Sequence, residues 1–580
     1  MRTRWGRLLG RGALRLGIAA LLLIGIACGK SSEPLVLVIS IDTLRRDHVS
    51  AYGYERETTP NLDRLAAEGA IFDTAVSTSN WTLPSHMSLF TGFSPSSHQV
   101  EDDRDRLPNS VGTLAEAFKR AGYETAAFTS HLYLDGRFGF RRGFDLYQTV
   151  VNRRAQDVSD RALLWLQRHE QAPAFLFLHY FDPHWDYAPP PDFAKRFGEA
   201  DPLYGTFSFL KPHLARLDLS PAIMRQIHTL YDAEIAYTDH HIGRVLDWLR
   251  AQGRLEDAVV VVLSDHGEEF GEHGTLGHGG SLHGEVTRIP LIIRHPPSIR
   301  AGTRITALAT LKDIPATLLA LAGVTAVPQF LEEGQVLIRR PGSAAPQEDR
   351  IAILESTRWG PKRFAVRSLR YKLMSGSHFA PPILIMQLDG LVSRELDPVE
   401  LAPGFYDLER DPGESNNLLQ SNAESAAREP LDAALLDFLA TRTRGLLLAC
   451  RPVGDRVVRH SITLDLDTPP IDEPFALGGS VVPVSATSFR VVLEADARSA
   501  YVVLIVEEGT SSLSITFDGG TAKQVSTPAP GETIPLLPAQ DGGPALCTLG
   551  MPHGVDVKGR GAVELSPDEI NRLEALGYAQ

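Results

Sequence analysis

The stretch Leu35–Asp42, L-V-L-V-I-S-I-D, decides the fold class. It is apolar at almost every position up to Asp42, with no alternation between an inner and an outer face. Such a run reads as a strand covered on both sides, which is the situation inside a parallel sheet. Ala258–Leu263 (A-V-V-V-V-L) and Ala174–Leu178 (A-F-L-F-L) read the same way. Helical patterns lie between these runs. Thr59-Pro60 can cap and begin a helix that places Leu62 and Leu65 on one face and ends at Gly69, and a second helix runs from Leu114 to Ala121. Strands alternating with helices imply a doubly wound α/β domain. Ligands of such sheets bind beyond the carboxyl ends of the strands, where the sequence places Asp42, Asp265 and His266.

The texture changes after Gly323. Ile351–Leu354, Phe364–Val366 and Tyr371–Leu373 read as short strands of a small α+β subdomain. From Cys450 to Ala562 short alternating runs such as Phe489–Leu493, Tyr501–Val506 and Leu513–Phe517 suggest a β-sandwich-like accessory domain. A final helix is expected over Leu565–Leu576, opened by Ser566-Pro567. The expected division is therefore a signal at 1–28, a catalytic α/β domain at 35–325, an α+β subdomain at 326–445, a β-rich domain at 450–562 and a helix within 563–580.

Five arginines between Arg2 and Arg15 precede an apolar run, Leu16–Ala27, that is short for a membrane span and fits a secretory signal. Ile26-Ala27-Cys28 resembles the end of a bacterial lipoprotein signal, although Gly25 stands where Leu is usual. The expectation is export to the cell envelope, periplasm or outer surface, with a lipid at Cys28 as the contact with membrane. The other two cysteines, Cys450 and Cys547, are then a candidate disulfide. A net charge of −14 argues against general affinity for nucleic acid or anionic lipid. An anionic substrate would need local positive charge.

Thr82 carries the chemical signal. It stands two residues before Pro84, whose missing N–H costs nothing in a first helical turn. A hydroxyl there sits where free backbone N–H groups attract anions. Taken alone, Thr82 is equally well read as a structural N-cap.

The stretch Asn80-Trp81-Thr82-Leu83-Pro84-Ser85-His86, continuing to Thr91-Gly92, resembles the sulfatase signature. Further blocks follow the order of that family: Ser40–Asp47, Thr59–Asp63, Asp182-Pro183-His184, Ser264–Gly267, Gly271–Gly274, Asp313–Leu318 and Tyr406–Leu408 before Asp411-Pro412. The resemblance runs from about Leu35 to Leu419. It implies an alkaline-phosphatase-like fold and a metal-dependent hydrolase of a small-molecule or glycan sulfate or phosphate ester. It implies Thr82 as nucleophile, His184 and His278 at the anionic head or leaving group, and His86 in place of a substrate-side arginine. It implies one divalent metal on Asp42, Thr82, Asp265 and His266, whose imidazole favours Mn²⁺ or Zn²⁺ over Ca²⁺ or Mg²⁺.

The departures from the pattern decide the subtype. Known sulfatases carry a Cys or Ser that is oxidised to formylglycine, and Thr82 cannot yield that aldehyde. Thr43 replaces the second aspartate of the first block. The family's Gly-Lys-Trp-His block is absent after Thr125–Phe128, where Thr129-Ser130-His131 stands, and His278 replaces a lysine. The phosphoester is therefore the favoured substrate, as for a phosphodiesterase. The alternatives are an envelope transferase of phosphoglycerol or phosphoethanolamine type and a non-catalytic binding protein. His273 and His283 are weaker site candidates.

Overall fold

In the computed structural model the described residues are most of 34–442, then chiefly the strands between 446 and 550 and most of 561–570. The expected signal, Cys28 and the final helix beyond residue 570 lie outside them. No helix among the described residues is long and apolar enough to cross a membrane.

A nine-stranded sheet organises the first half. Its strands are β1 (Val36–Ile41), β2 (Ala70–Val76), β3 (Glu124–Thr129), β4 (Leu146–Thr149), β5 (Ala174–Tyr180), β6 (Val259–Ser264), β7 (Arg288–Ile289), β8 (Leu291–Arg294) and β9 (Thr303–Thr310). Five of them, β6-β1-β5-β3-β4, lie side by side and parallel. β8 joins β6 antiparallel, β2 pairs with both β7 and β8, and β9 runs parallel to β2.

Every residue of β1 is buried, because both faces of the sheet are covered. Val36 and Val38 enter one apolar cluster with Phe90, Phe118 and Phe177. Leu37, Ile39 and Ile41 enter the other, with Leu176, Leu178 and Leu246. The strand period of two sorts one unbroken apolar run into two cores. This is the doubly wound, mainly parallel α/β sheet that the sequence predicts.

Helix α1 (Pro60–Glu68) begins at Thr59, but the Thr59 hydroxyl bonds to Ser50 and Asp63 rather than capping the backbone. The cap comes from a distance. Asp239, on α3 (Pro221–Ala251), accepts from the backbone N–H groups of Asn61 and Leu62. Helix α2 (Thr82–Thr91) is buried along its whole length.

Past residue 350, four antiparallel strands, Ala352–Ser356, Arg363–Arg367, Tyr371–Met374 and Gly404–Asp407, form a smaller sheet that packs on the helix Ser425–Arg442. Beyond it are two five-stranded antiparallel sheets between Leu446 and Gly550. Residues Gly561–Ala562 then return to pair with Asp105–Arg106 of the first half.

Candidate active site

Two adjacent parallel strands build the heart of the site. Ile41 of β1 and Ser264 of β6 are register partners, so the next residues, Asp42 and Asp265, leave the sheet side by side. One ligand atom from each of Asp42, Asp265 and His266 lies within 4.8 Å of the others, all fully buried. Asp265 Oδ1 accepts from the backbone N–H of Thr43 and of His266, at 3.3 and 2.9 Å. Its Oδ2 and both oxygens of Asp42 have no hydrogen-bond donor.

Burial pushes the Asp42 carboxyl up to about 7, with Glu268 adding to the rise. Burial, then the Asp42 charge, raises Asp265 as well. Two buried carboxylates with orphaned oxygens form an environment that a divalent cation fits. His266 fits it too. Its Nδ1 donates to Gly267 O at 2.9 Å, which leaves the Nε2 lone pair for the cluster.

The turn after β1 is strained. Thr43 has φ +54°, a left-handed conformation that is an outlier for a β-branched residue. Tyr231 holds it there, donating to Thr43 O at 2.7 Å and accepting from Arg45 N at 2.9 Å.

Thr82 is the first residue of α2, with Trp81 in the cap position and making no side-chain cap bond. The Thr82 hydroxyl is thus not used as a cap, and Thr82 Oγ1 lies 3.4 Å from His266 Nε2. His86 lies fully buried beneath Thr82. Its Nδ1 donates to Thr82 O at 2.9 Å, with Asp265 Oδ2 3.4 Å away, and its Nε2 meets Ser40 Oγ at 2.9 Å. One helical turn below Thr82, this ring braces α2 against β1.

His184 and His278 do come together, with ring centroids 5.1 Å apart, and His278 lies 4.4 Å from the His266 ring. His184 Nδ1 donates to Trp185 O, and His278 Nδ1 bonds to Glu268 Oε1, each at 2.8 Å. Burial holds both imidazoles well below the usual histidine range, so neither brings a standing positive charge. His273 and His283 stack on each other, their centroids 3.5 Å apart; His283 hydrogen-bonds to Glu414, and His273 Nε2 lies 3.3 Å from Glu285.

Three neighbours were not singled out from the sequence. His179 stands near the end of β5, its Nε2 3.3 Å from Asp42 Oδ2, and both its ring nitrogens are without a hydrogen-bond partner. Glu268 links His278 to the Tyr187 hydroxyl. His131 lies 5.8 Å from His184 and 6.4 Å from His179, ring to ring. A polar residue near the carboxyl end of a buried strand is the signal that marks His179, as it marks Asp42.

A family model described as Sulfatase matches residues 34–324. The uncharacterized sulfatase YidJ of Escherichia coli is 26% identical over 463 residues, covering 70% of this chain and 87% of that protein. An arylsulfatase of Clostridium perfringens is 24% identical over 371 residues, 52% of this chain and 77% of that one. In three dimensions a phosphonate monoester hydrolase of Agrobacterium radiobacter superposes with a TM-score of 0.54 at 20% identity, over 70% of this chain and 95% of the other.

Proposed function

Because the chain belongs to the sulfatase family, we propose that it is an ester hydrolase in which the unmodified Thr82 hydroxyl is the nucleophile and a phosphate ester is the preferred substrate. The observation that carries the reading is Thr82 Oγ1 at the head of a buried helix, 3.4 Å from His266 Nε2 and beside two carboxylates with orphaned oxygens. Asp42, Asp265 and His266, with Thr82, would hold a divalent cation. Such an ion supplies positive charge that eases ionisation of the hydroxyl and offsets charge on the ester oxygens. The imidazole in the donor set favours Mn²⁺ or Zn²⁺.

Thr82 Oγ1 bonds to the phosphorus while the bond to the departing alcohol oxygen breaks, and water then cleaves the threonine ester. His184 and His278 are fixed through Nδ1, so Nε2 is the atom that takes up or returns a proton at the departing oxygen. With a sulfate ester the same attack leaves a sulfated threonine, which lacks the second hydroxyl by which formylglycine expels sulfate. That asymmetry favours phosphate. The reading includes export and a lipid at Cys28, resting on the basic and then apolar N-terminal sequence.

The test is a panel of chromogenic sulfate monoester, phosphate monoester, phosphodiester and phosphonate substrates, each with Mn²⁺, Zn²⁺, Ca²⁺ or chelator. Phosphoester turnover that needs metal is expected. Sulfate esters cleaved far faster than every phosphoester would overturn the preference.

A further inference from the structure

The residue that follows Asp42 is held in an unfavourable backbone conformation. Asp42 N still donates to Tyr180 O at 2.9 Å, so the pairing of β1 with β5 runs one residue past the strand. At Thr43 the chain breaks out of the sheet with φ +54°. Crowding between Cβ and the backbone makes that region costly for a β-branched residue, and it persists only where surrounding contacts over-determine it.

What the turn gains is the direction of one N–H group. Thr43 N donates to Asp265 Oδ1 at 3.3 Å, beside the 2.9 Å bond from His266 N to the same oxygen. The strained residue thus ties the segment that carries Asp42 to Asp265, the other carboxylate of the cluster. Two buried carboxylates side by side repel while both are charged, so their juxtaposition needs such a tie until a cation offsets them.

The tie is held from outside by a tyrosine hydroxyl. Tyr231 Oη donates to Thr43 O at 2.7 Å and accepts from Arg45 N at 2.9 Å, bridging the two ends of the turn. Thr43 and Tyr231 are fully buried and Arg45 nearly so, which leaves the protein itself to satisfy these groups. The Tyr231 ring is fixed against Tyr187, Phe270 and His48, with centroids 5.6, 5.0 and 5.1 Å away. Its helix, α3, fastens the neighbouring loop as well. Glu234 accepts from Ala188 N at 2.9 Å and Thr238 donates to Asp182 O at 3.2 Å, on either side of His184 in the chain.

We infer that Tyr231 is a positioning residue for the cation site: its hydroxyl keeps the strained Thr43 turn closed, and through that turn holds Asp42 and Asp265 in place before an ion arrives. The inference rests on the metal reading proposed above. It assigns part of the metal affinity to a residue outside the ligand set.

The test is calorimetric titration of Mn²⁺ and of Zn²⁺ into chelator-stripped full-length protein. Tyr231→Phe keeps the ring and removes the bridge, and is expected to weaken binding by about 10- to 100-fold, as loss of a partner that orients a ligand does. Thr43→Gly supplies the rescue. Glycine adopts a left-handed turn without strain, so the turn should stay closed unaided. Tyr231→Phe added to Thr43→Gly should therefore cost only a small part of what it costs alone. Tyr147→Phe removes a hydroxyl bonded to Leu134 O on the edge strand β4, and should leave affinity unchanged.

Unchanged affinity in folded Tyr231→Phe, or an equal loss in both backgrounds, would show that the hydroxyl serves packing alone and overturn the inference. If Tyr231→Phe is not recovered folded, the double variant decides. Affinity close to that of Thr43→Gly upholds the role, and a loss of about tenfold or more overturns it. Wild-type protein that binds neither ion would sink the metal reading itself, a result distinct from an ion bound equally well with and without the Tyr231 hydroxyl.

Discussion

His179 Nε2 lies 3.3 Å from Asp42 Oδ2, across the seam between the parallel strands β5 and β1. Ser40 and His179 are register partners, so the ring is delivered to the carboxylate by the sheet itself. Burial holds this imidazole down to about 4, and it therefore meets Asp42 as a neutral group. A neutral histidine beside a carboxylate of the proposed metal site would orient it and tune its basicity. His179→Ala is expected to weaken metal binding by about 10- to 100-fold, measured by chelator competition and elemental analysis on folded protein. Unchanged affinity would remove His179 from the site.

Thr82→Ala should lower turnover by at least about a thousandfold with the fold and metal content intact. Thr82→Ser should retain measurable phosphoesterase activity, because the hydroxyl remains at the head of α2. Full activity in the alanine variant would mean that another group attacks.

Acid should loosen the contact between the smaller sheet and the catalytic domain. Lys372 Nζ lies 2.9 and 2.8 Å from the two Glu414 oxygens, and His283 Nδ1 lies 3.0 Å from one of them. Burial pushes Glu414 up, but Lys372 and His283 outweigh it and hold the carboxyl at about 2. A depressed carboxylate contributes stability above its ordinary value of 4.5 and loses it as pH falls toward about 2. Denaturant unfolding followed across that window should show the loss. Glu414→Gln at neutral pH strands a buried ammonium and should cost about 3–5 kcal/mol.

Cys450 and Cys547 are direct register partners on neighbouring antiparallel strands. Such pairs have Cα separations of about 4.5 or 5.5 Å, both inside the range of a disulfide. Non-reducing peptide mapping of protein produced in an oxidising compartment should find them joined. Two alkylatable thiols would contradict it.

The sequence made legible whatever depends on a strand's own pattern. The apolar runs ending at Asp42 and Asp265 marked two buried parallel strands, and their shared register brings the two carboxylates together. Contacts set by tertiary placement were not legible. Asp239 caps a helix far away in sequence, and His86 turns under Thr82 to meet Ser40. His179 follows directly on the apolar run Ala174–Leu178, and only register shows that the group facing it across the seam is an acid.

The returning strand Gly561–Ala562 has a bearing on synthesis. Val563, which follows it, donates to Arg104 O at 2.8 Å and is buried in the same apolar cluster as Leu107 and Phe138. Glu569 then forms an ion pair with Arg137. A ribosome releases the residues of the central sheet long before it releases these, and domains begin to fold as they emerge. The nascent enzyme must therefore wait, with one seam of its core open to water, until that stretch of chain arrives to shut it. A message broken anywhere upstream of that stretch yields a molecule whose catalytic half is fully translated yet left ajar, an apolar edge on view to the proteases and chaperones that judge new proteins.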